Sequence, residues 1–313
     1  MQLRGMLAAV LALFCSIENA CGGGRVGPTG ILVATAGSSP FSDTVWLLSD
    51  DGAVAKRVLA PNGVKSYPFA FGRSMSGPFL VEIHQAVGSG ATDSLWVMSS
   101  NFTDPRSLTG CDRQFQSQGI GAFDPANKQI AFVGRTASQA NSAVWVCDIE
   151  IGRPQQISFP NGSQTWDNYP SWTPDGKNVL FLRVSQSGSR TLISNLWVTP
   201  VSGGASSMVI GAPIAAFCIS PDGSILGALT ADGLDLFRWP GFVLQRHLVS
   251  WQTLGTFMYN GGGMSFAADP PRIIIPFSQG QTTHVVSVDV TTAAISDLRQ
   301  MNGRATGIAW LSK

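Results

Sequence analysis

Charge is scarce in this 313-residue chain, where Asp, Glu, Lys and Arg together make up 12%, about half the share of a typical soluble domain. With 44% hydrophobic residues beside so little charge, the chain is not intrinsically disordered, since disorder needs the opposite balance. Twenty basic residues against nineteen acidic leave a net charge of +1, and no long basic run is present. Nothing therefore draws the chain to nucleic acid or to anionic lipid. Long apolar runs are also missing. Beyond residues 6–15, none approaches the 18 or so needed to cross a bilayer.

Catalytic signatures are absent as well. There is no G-x-S-x-G nucleophile elbow, because Gly72-Arg73-Ser74-Met75-Ser76 fails at its last position. Gly88-Ser89-Gly90 and Gly119-Ile120-Gly121 lack the third glycine and the following helix of a nucleotide loop. The three histidines, His84, His247 and His284, are scattered with no metal-ligand spacing and read as structural or surface residues. No catalytic residue, metal site or cofactor is expected.

What the sequence does hold is punctuation. Gly 35 and Pro 18, with Trp 9 and Phe 17, read as many short strands separated by turns. A length of 313 suits two ordinary domains or one large β domain.

One word recurs, aliphatic-Trp-aliphatic: Val45-Trp46-Leu47, Leu95-Trp96-Val97, Val144-Trp145-Val146 and Leu196-Trp197-Val198, at steps of 50, 49 and 52. An apolar run precedes each, and that run continues beyond the Trp words. Its copies begin at 31, 79, 130, 179, 225 and 273, at steps of 46 to 51. Leu234-Asp235-Leu236 and Val285-Val286-Ser287 fill the Trp slot in the last two copies. A period near 48 marks a repeat architecture.

Each unit reads as four strands. The first ends in a turn such as Pro174-Asp175-Gly176 or Pro221-Asp222-Gly223, where Pro presets φ and Asp-Gly suits the positions that follow. This assigns Asp175 and Asp222 to turns rather than to acid–base chemistry. The inner strands are apolar on nearly every residue, so both faces of each sheet need cover, and a ring of stacked sheets provides it. The same placement of Trp in each repeat predicts packing between blades rather than a carbohydrate platform. Ile308-Ala309-Trp310-Leu311 resembles a first strand without partners, and Gly30-Ile31-Leu32-Val33 a second strand without a first. Joined, they complete one blade. The expectation is an all-β, closed six-bladed β-propeller of four-stranded blades over residues 30–313.

At Tyr169-Pro170-Ser171-Trp172-Thr173-Pro174-Asp175-Gly176-Lys177, followed by Leu196-Trp197-Val198 and the turn Ser202-Gly203-Gly204, the chain resembles the WD40-like repeats of TolB-type propellers. That resemblance covers essentially the whole mature chain, with the fourth copy closest. It implies the propeller fold, and either a periplasmic interaction domain or the gating domain of a prolyl-oligopeptidase-like enzyme. No α/β-hydrolase segment follows the repeats, and almost nothing precedes Ile31, so neither the oligopeptidase nor the two-domain Tol-system arrangement is expected.

The N-terminus resembles a bacterial lipoprotein leader. Arg4, an apolar stretch of about ten residues, then Ala20-Cys21-Gly22-Gly23-Gly24 imply a signal peptide over 1–20, lipidation at Cys21 and a glycine tether over 21–29. Glu18 departs from the usual apolar residue there; secretion after Ala20 without lipid is the alternative. Cys111, Cys147 and Cys218 remain, an odd number that allows one disulfide at most. Cys147 and Cys218 read as buried free thiols, and Cys111 as the exposed one.

The loops from an outer strand to the next inner strand are expected to lie at the channel mouth. They would carry Tyr67, Gln118, Trp166, Asp167, Asn168, Tyr169, Tyr259 and Asn260, with every tyrosine of the chain among them. Aromatic and amide side chains on loops suit a partner surface. The function expected is therefore a non-catalytic, exported, lipid-anchored monomer that binds an envelope protein, touching the membrane only through its anchor and binding no nucleic acid. The alternative is a propeller hydrolase or lyase whose site assembles at the channel from several blades.

Overall fold

In the computed structural model, the described residues are 30–36, 44–58, 66–72, 79–87, 90–98, 106–112, 114–187, 191–254 and 263–311. Their strands pair into six four-stranded antiparallel sheets, each ordered from inner to outer strand. Sheet I is Arg304–Leu311, Gly30–Ala36, Thr44–Leu48 and Ala55–Val58, and sheet II is Ser66–Gly72, Phe79–Val87, Gly90–Met98 and Arg106–Ser107. Sheet III is Phe115–Phe123, Gln129–Thr136, Ala143–Asp148 and Pro154–Gln156, and sheet IV is Thr165–Trp172, Asn178–Ser187, Thr191–Pro200 and Ser207–Ile210. Sheet V is Ile214–Ile219, Ile225–Thr230, Gly233–Arg238 and Val243–Ser250, and sheet VI is Ser265–Ala267, Arg272–Gln279, Thr282–Asp289 and Ile295–Asn302. This is a β-propeller of four-stranded antiparallel blades. Two single-turn helices, Thr109–Asp112 and Trp251–Leu254, follow outer strands.

The turns form for the reason their residues suggest. The Asp222 carboxylate accepts hydrogen bonds from the Ser220 hydroxyl (2.5 Å) and the Ser224 amide (3.0 Å), while Gly223 takes φ +72°. A Cβ there would also press to 3.0 Å from the Pro174 ring of the neighbouring sheet. Asp175 repeats the arrangement with Thr173 and Lys177. These bonds, the hydroxyl ones first, hold both carboxyls below the ordinary carboxylate range.

Buried apolar side chains gather between sheets rather than within them. One cluster joins Leu95 and Val97 of sheet II to Phe132 and Trp145 of sheet III, and the next joins Val144 of sheet III to Phe181 of sheet IV. Others link sheets IV and V through Leu182 and Phe217, and sheets V and VI through Leu229 and Ile275. Ile31, Val33 and Trp310 of sheet I pack on Ile274 and Val285 of sheet VI, whereas Leu32 and Ala309 face sheet II. Each fully buried aliphatic side chain contributes roughly 1.5–3 kcal/mol, so the second strands, apolar on both faces, supply two interfaces at once. Within sheet I the first and last described strands run antiparallel, with Ile31 opposite Trp310, Leu32 opposite Ala309 and Val33 opposite Ile308.

The recurring Trp residues belong to these interfaces. Trp46 packs into the cluster shared with sheet VI, Trp96 into that with sheet I, Trp145 into that with sheet II and Trp197 into that with sheet III. Each therefore faces the preceding sheet.

The cysteines correct the sequence reading. Cys111 is not exposed and Cys147 is not a free thiol. Both are buried and joined in a disulfide with Cα atoms 5.9 Å apart. The single-turn helix after the outer strand of sheet II carries Cys111 onto the third strand of sheet III, so the bond staples two neighbouring sheets. Cys218 is a buried free cysteine.

Candidate functional site

The inner strands surround the propeller axis, and five of them line a cavity of about 190 Å³. Its wall is built from residues 121–123, 169–172, 216–219, 263–266 and 307–309, on or beside the inner strands of sheets III, IV, V, VI and I, and from the turns at Pro125, Pro174 and Pro221. Ala122, Tyr169, Ser171, Ile219, Met264 and Ile308 represent its chemistry: aromatic, aliphatic and hydroxyl groups with backbone between them. Among the described lining residues there is no Asp, Glu, His, Lys or Arg. The titratable groups are Cys218, whose thiol is pushed up to about 12 by burial, and Tyr169, whose phenol burial also raises. Both stay protonated at neutral pH, so neither supplies a thiolate nucleophile or a base there. The wall can dock neutral groups, and its volume, below the roughly 300 Å³ of a drug-sized pocket, suits one or two inserted side chains.

Tyr169 holds its place by unusual backbone. It sits at φ +53°, in a register shift of the inner strand between Asn168 and Ser171. The irregularity re-aims the ring toward the sheet IV–V core, against which it packs, as well as the cavity.

The other expected mouth residues are placed differently. Trp166, Asp167 and Asn168 are not on a loop; they belong to the inner strand of sheet IV, opposite Val184, Arg183 and Leu182, and are not part of the cavity lining. Asp167 is fully buried. Its carboxylate accepts two bonds from the Arg183 guanidinium, at 2.7 and 2.9 Å, and one from the Ser158 hydroxyl at 2.6 Å. Burial raises its carboxyl above the ordinary range, against the pull of Arg183 and Ser158. Ser158 in turn accepts the Val144 amide at 2.7 Å, so this network ties sheet III to sheet IV and leaves Asp167 unavailable to a partner. Asn168, with its amide oriented by hydrogen bonding, accepts the Trp166 indole N–H at 3.0 Å and donates to the Asp167 carbonyl at 3.1 Å.

Tyr67 and Gln118 also lie on inner strands, opposite His84 and Gly134, rather than on loops. Tyr259, Asn260 and Cys21 lie outside the described residues.

Two features were not visible in the sequence. A second concavity, of about 610 Å³, lies between sheets VI and I and is lined by Thr44, Trp46, Gln281, Arg299 and Asn302 among others. Two of the scattered histidines pair with acids on an adjacent strand: His247 with Asp235 at 2.7 Å and His284 with Asp297 at 2.8 Å. Only pairing across strands brings these residues together, and no spacing along the chain reports it.

No family model matches the chain. Over 94 residues it is 24% identical to dipeptidyl-peptidase 5 of Porphyromonas gingivalis, a match spanning 28% of this chain and 14% of that protein. TolB from Acinetobacter baumannii superposes with a TM-score of 0.69 at 13% identity, over 91% of this chain and 67% of that one. A TolB-type structure from Agrobacterium tumefaciens gives 0.59 at 12% identity, over 90% and 92%. The likeness is one of fold: a TolB-like β-propeller. Among the described residues no helix is long and apolar enough to cross a membrane.

Proposed function

We propose that the chain is an exported, lipid-anchored binding propeller of six blades, closed by its first and last strands, whose axial channel accepts a segment of an envelope protein and carries out no catalysis. Residues 1–20 would serve as the leader, Cys21 as the lipid attachment point and 21–29 as a tether to the membrane. The single observation that carries this reading is the channel wall, where Tyr169 and its neighbours offer aromatic, aliphatic and backbone groups without a described acid, base or cation. Such a surface recognises by shape and hydrogen bonding. Tyr67, Trp166, Asn168, Tyr259 and Asn260 remain the proposed contacts around that channel, with Asp167 withdrawn because Arg183 already occupies it. A buried disulfide supports export, since such bonds persist in oxidising compartments. The TolB-like fold supports an interaction role.

The test is crosslinked co-purification from the native envelope with the wild-type chain and with Tyr169→Ala, each checked for unchanged melting. Recovery of one defined envelope protein by the wild type, lost in Tyr169→Ala, is expected. Equal recovery by both refutes the channel as the binding site. Release of product from peptide substrates by the purified chain would instead favour the hydrolase alternative, toward which the dipeptidyl-peptidase match points.

A further inference from the structure

Sheet V holds a constellation that the channel reading does not use. Asp232 lies in the turn between the second strand (Ile225–Thr230) and the third (Gly233–Arg238). Asp235 is on the third strand, and His247 stands opposite it on the outer strand, next to a register shift at Leu234 and Asp235. One ligand-type atom from each of the three side chains lies within 4.8 Å of the other two. They form the only such group found among the described residues.

The local structure pre-positions these donors. The Thr230 hydroxyl donates to one oxygen of Asp235 (2.7 Å) and accepts the Asp232 amide (3.2 Å). The Trp251 indole donates to the Thr230 carbonyl (2.9 Å), fixing the residue around which both acids are arranged. The other oxygen of Asp235 faces His247 Nδ1 at 2.7 Å. No hydrogen bond to the Asp232 carboxylate is found among the described residues.

Two carboxyl side chains meet a single imidazole here. Asp235 is only 4% exposed, and a buried carboxylate needs a cation beside it. Its ion-pair partner among the described residues is His247, whose side chain is 62% exposed; no described Lys or Arg pairs with it. A second carboxylate, Asp232, then adds like charge to the same spot. A divalent ion held between the imidazole and the two carboxylates would balance both acids at once. One imidazole nitrogen with two carboxylate oxygens is a donor set for zinc-like ions rather than for magnesium or calcium, which prefer oxygen alone.

We propose that Asp232, Asp235 and His247 bind one divalent transition-metal ion of the Zn²⁺ class, with water completing its coordination. The turn carrying Asp232 joins the second and third strands, so the site lies on the face where the inner strands begin. The His284–Asp297 pair of sheet VI belongs to no three-donor group among the described residues and provides an internal control.

The untagged, metal-stripped protein should be titrated with Zn²⁺ alone by calorimetry, with melting followed in parallel. Saturable binding of one ion per chain and a rise in melting temperature are expected. Asp235→Asn and His247→Gln should each weaken binding by roughly tenfold or more and abolish the rise, while His284→Gln behaves as wild type. Should Asp235→Asn fail to fold, Asp232→Asn on the exposed turn gives the same reading. Absence of saturable binding, wild-type affinity in His247→Gln, or an equal loss in His284→Gln overturns the proposal.

Discussion

Removing the disulfide gives the sharpest handle on how the sheets are held together. Cys111 and Cys147 are 36 residues apart in sequence and both are buried. Closing a loop of that length in the unfolded chain stabilises the fold by about 4 kcal/mol in the chain-entropy model. The bond also locks the sheet II–III interface, where Leu95, Leu108, Phe132 and Trp145 surround it. The double substitution Cys111→Ala/Cys147→Ala avoids burying a hydroxyl and removes the cross-link cleanly. Urea unfolding followed by tryptophan fluorescence should show a loss of about 4 kcal/mol relative to wild type. Mass analysis after alkylation under denaturing, non-reducing conditions should find one modified cysteine among Cys111, Cys147 and Cys218 in wild type. A loss below about 1 kcal/mol, well under the usual effect of deleting a native disulfide, or alkylation of all three cysteines, would refute the cross-link.

Two further perturbations test the network and the turns. Arg183→Met strips the buried Asp167 carboxylate of its bidentate partner and the Trp197 ring of a guanidinium 4.4 Å from its centre. A loss of about 3–5 kcal/mol in denaturant unfolding is expected, largely recovered when Asp167→Asn is added. Asp222 has a carboxyl held below its ordinary range by Ser220 and then Ser224, so it stabilises the fold above the unfolded carboxylate pKa, and that contribution is lost as pH falls through the lower folded value. Comparing acid unfolding of wild type and Asp222→Asn should show this portion of the pH dependence missing in the variant, with a size under about 1 kcal/mol because solvent screens so exposed a group. Identical acid profiles would contradict it.

The repeat was readable in the sequence because its cause is periodic. Second strands such as Ile130-Ala131-Phe132 are apolar at every position since sheets cover both of their faces, and Pro-Asp-Gly turns carry their own mechanism at Asp175 and Asp222. What escaped depends on contacts between repeats. The Trp-Asp-Asn-Tyr stretch at 166–169 has the composition of a turn, yet it is strand, because Arg183 and Ser158 satisfy Asp167 and a register shift absorbs Tyr169. Cys147 looked like one more buried strand residue, and its partner arrives from a different sheet on a single helical turn. Asp235 and His247 meet only across a strand pair. Of the channel-mouth residues expected from sequence, Tyr169 reaches the cavity wall, because its placement follows from the inner strand's own irregularity.

Most directly at stake is whether the strands Gly30–Ala36 and Arg304–Leu311 share a sheet, since the cover on Ile31, Val33 and Leu32 depends on it. Hydrogen exchange of the native protein, resolved by peptide, compares Arg304–Leu311 with the central strand Arg272–Gln279. A closed ring predicts comparably slow exchange in both; amides of 304–311 exchanging at the rate of a frayed terminus would contradict it.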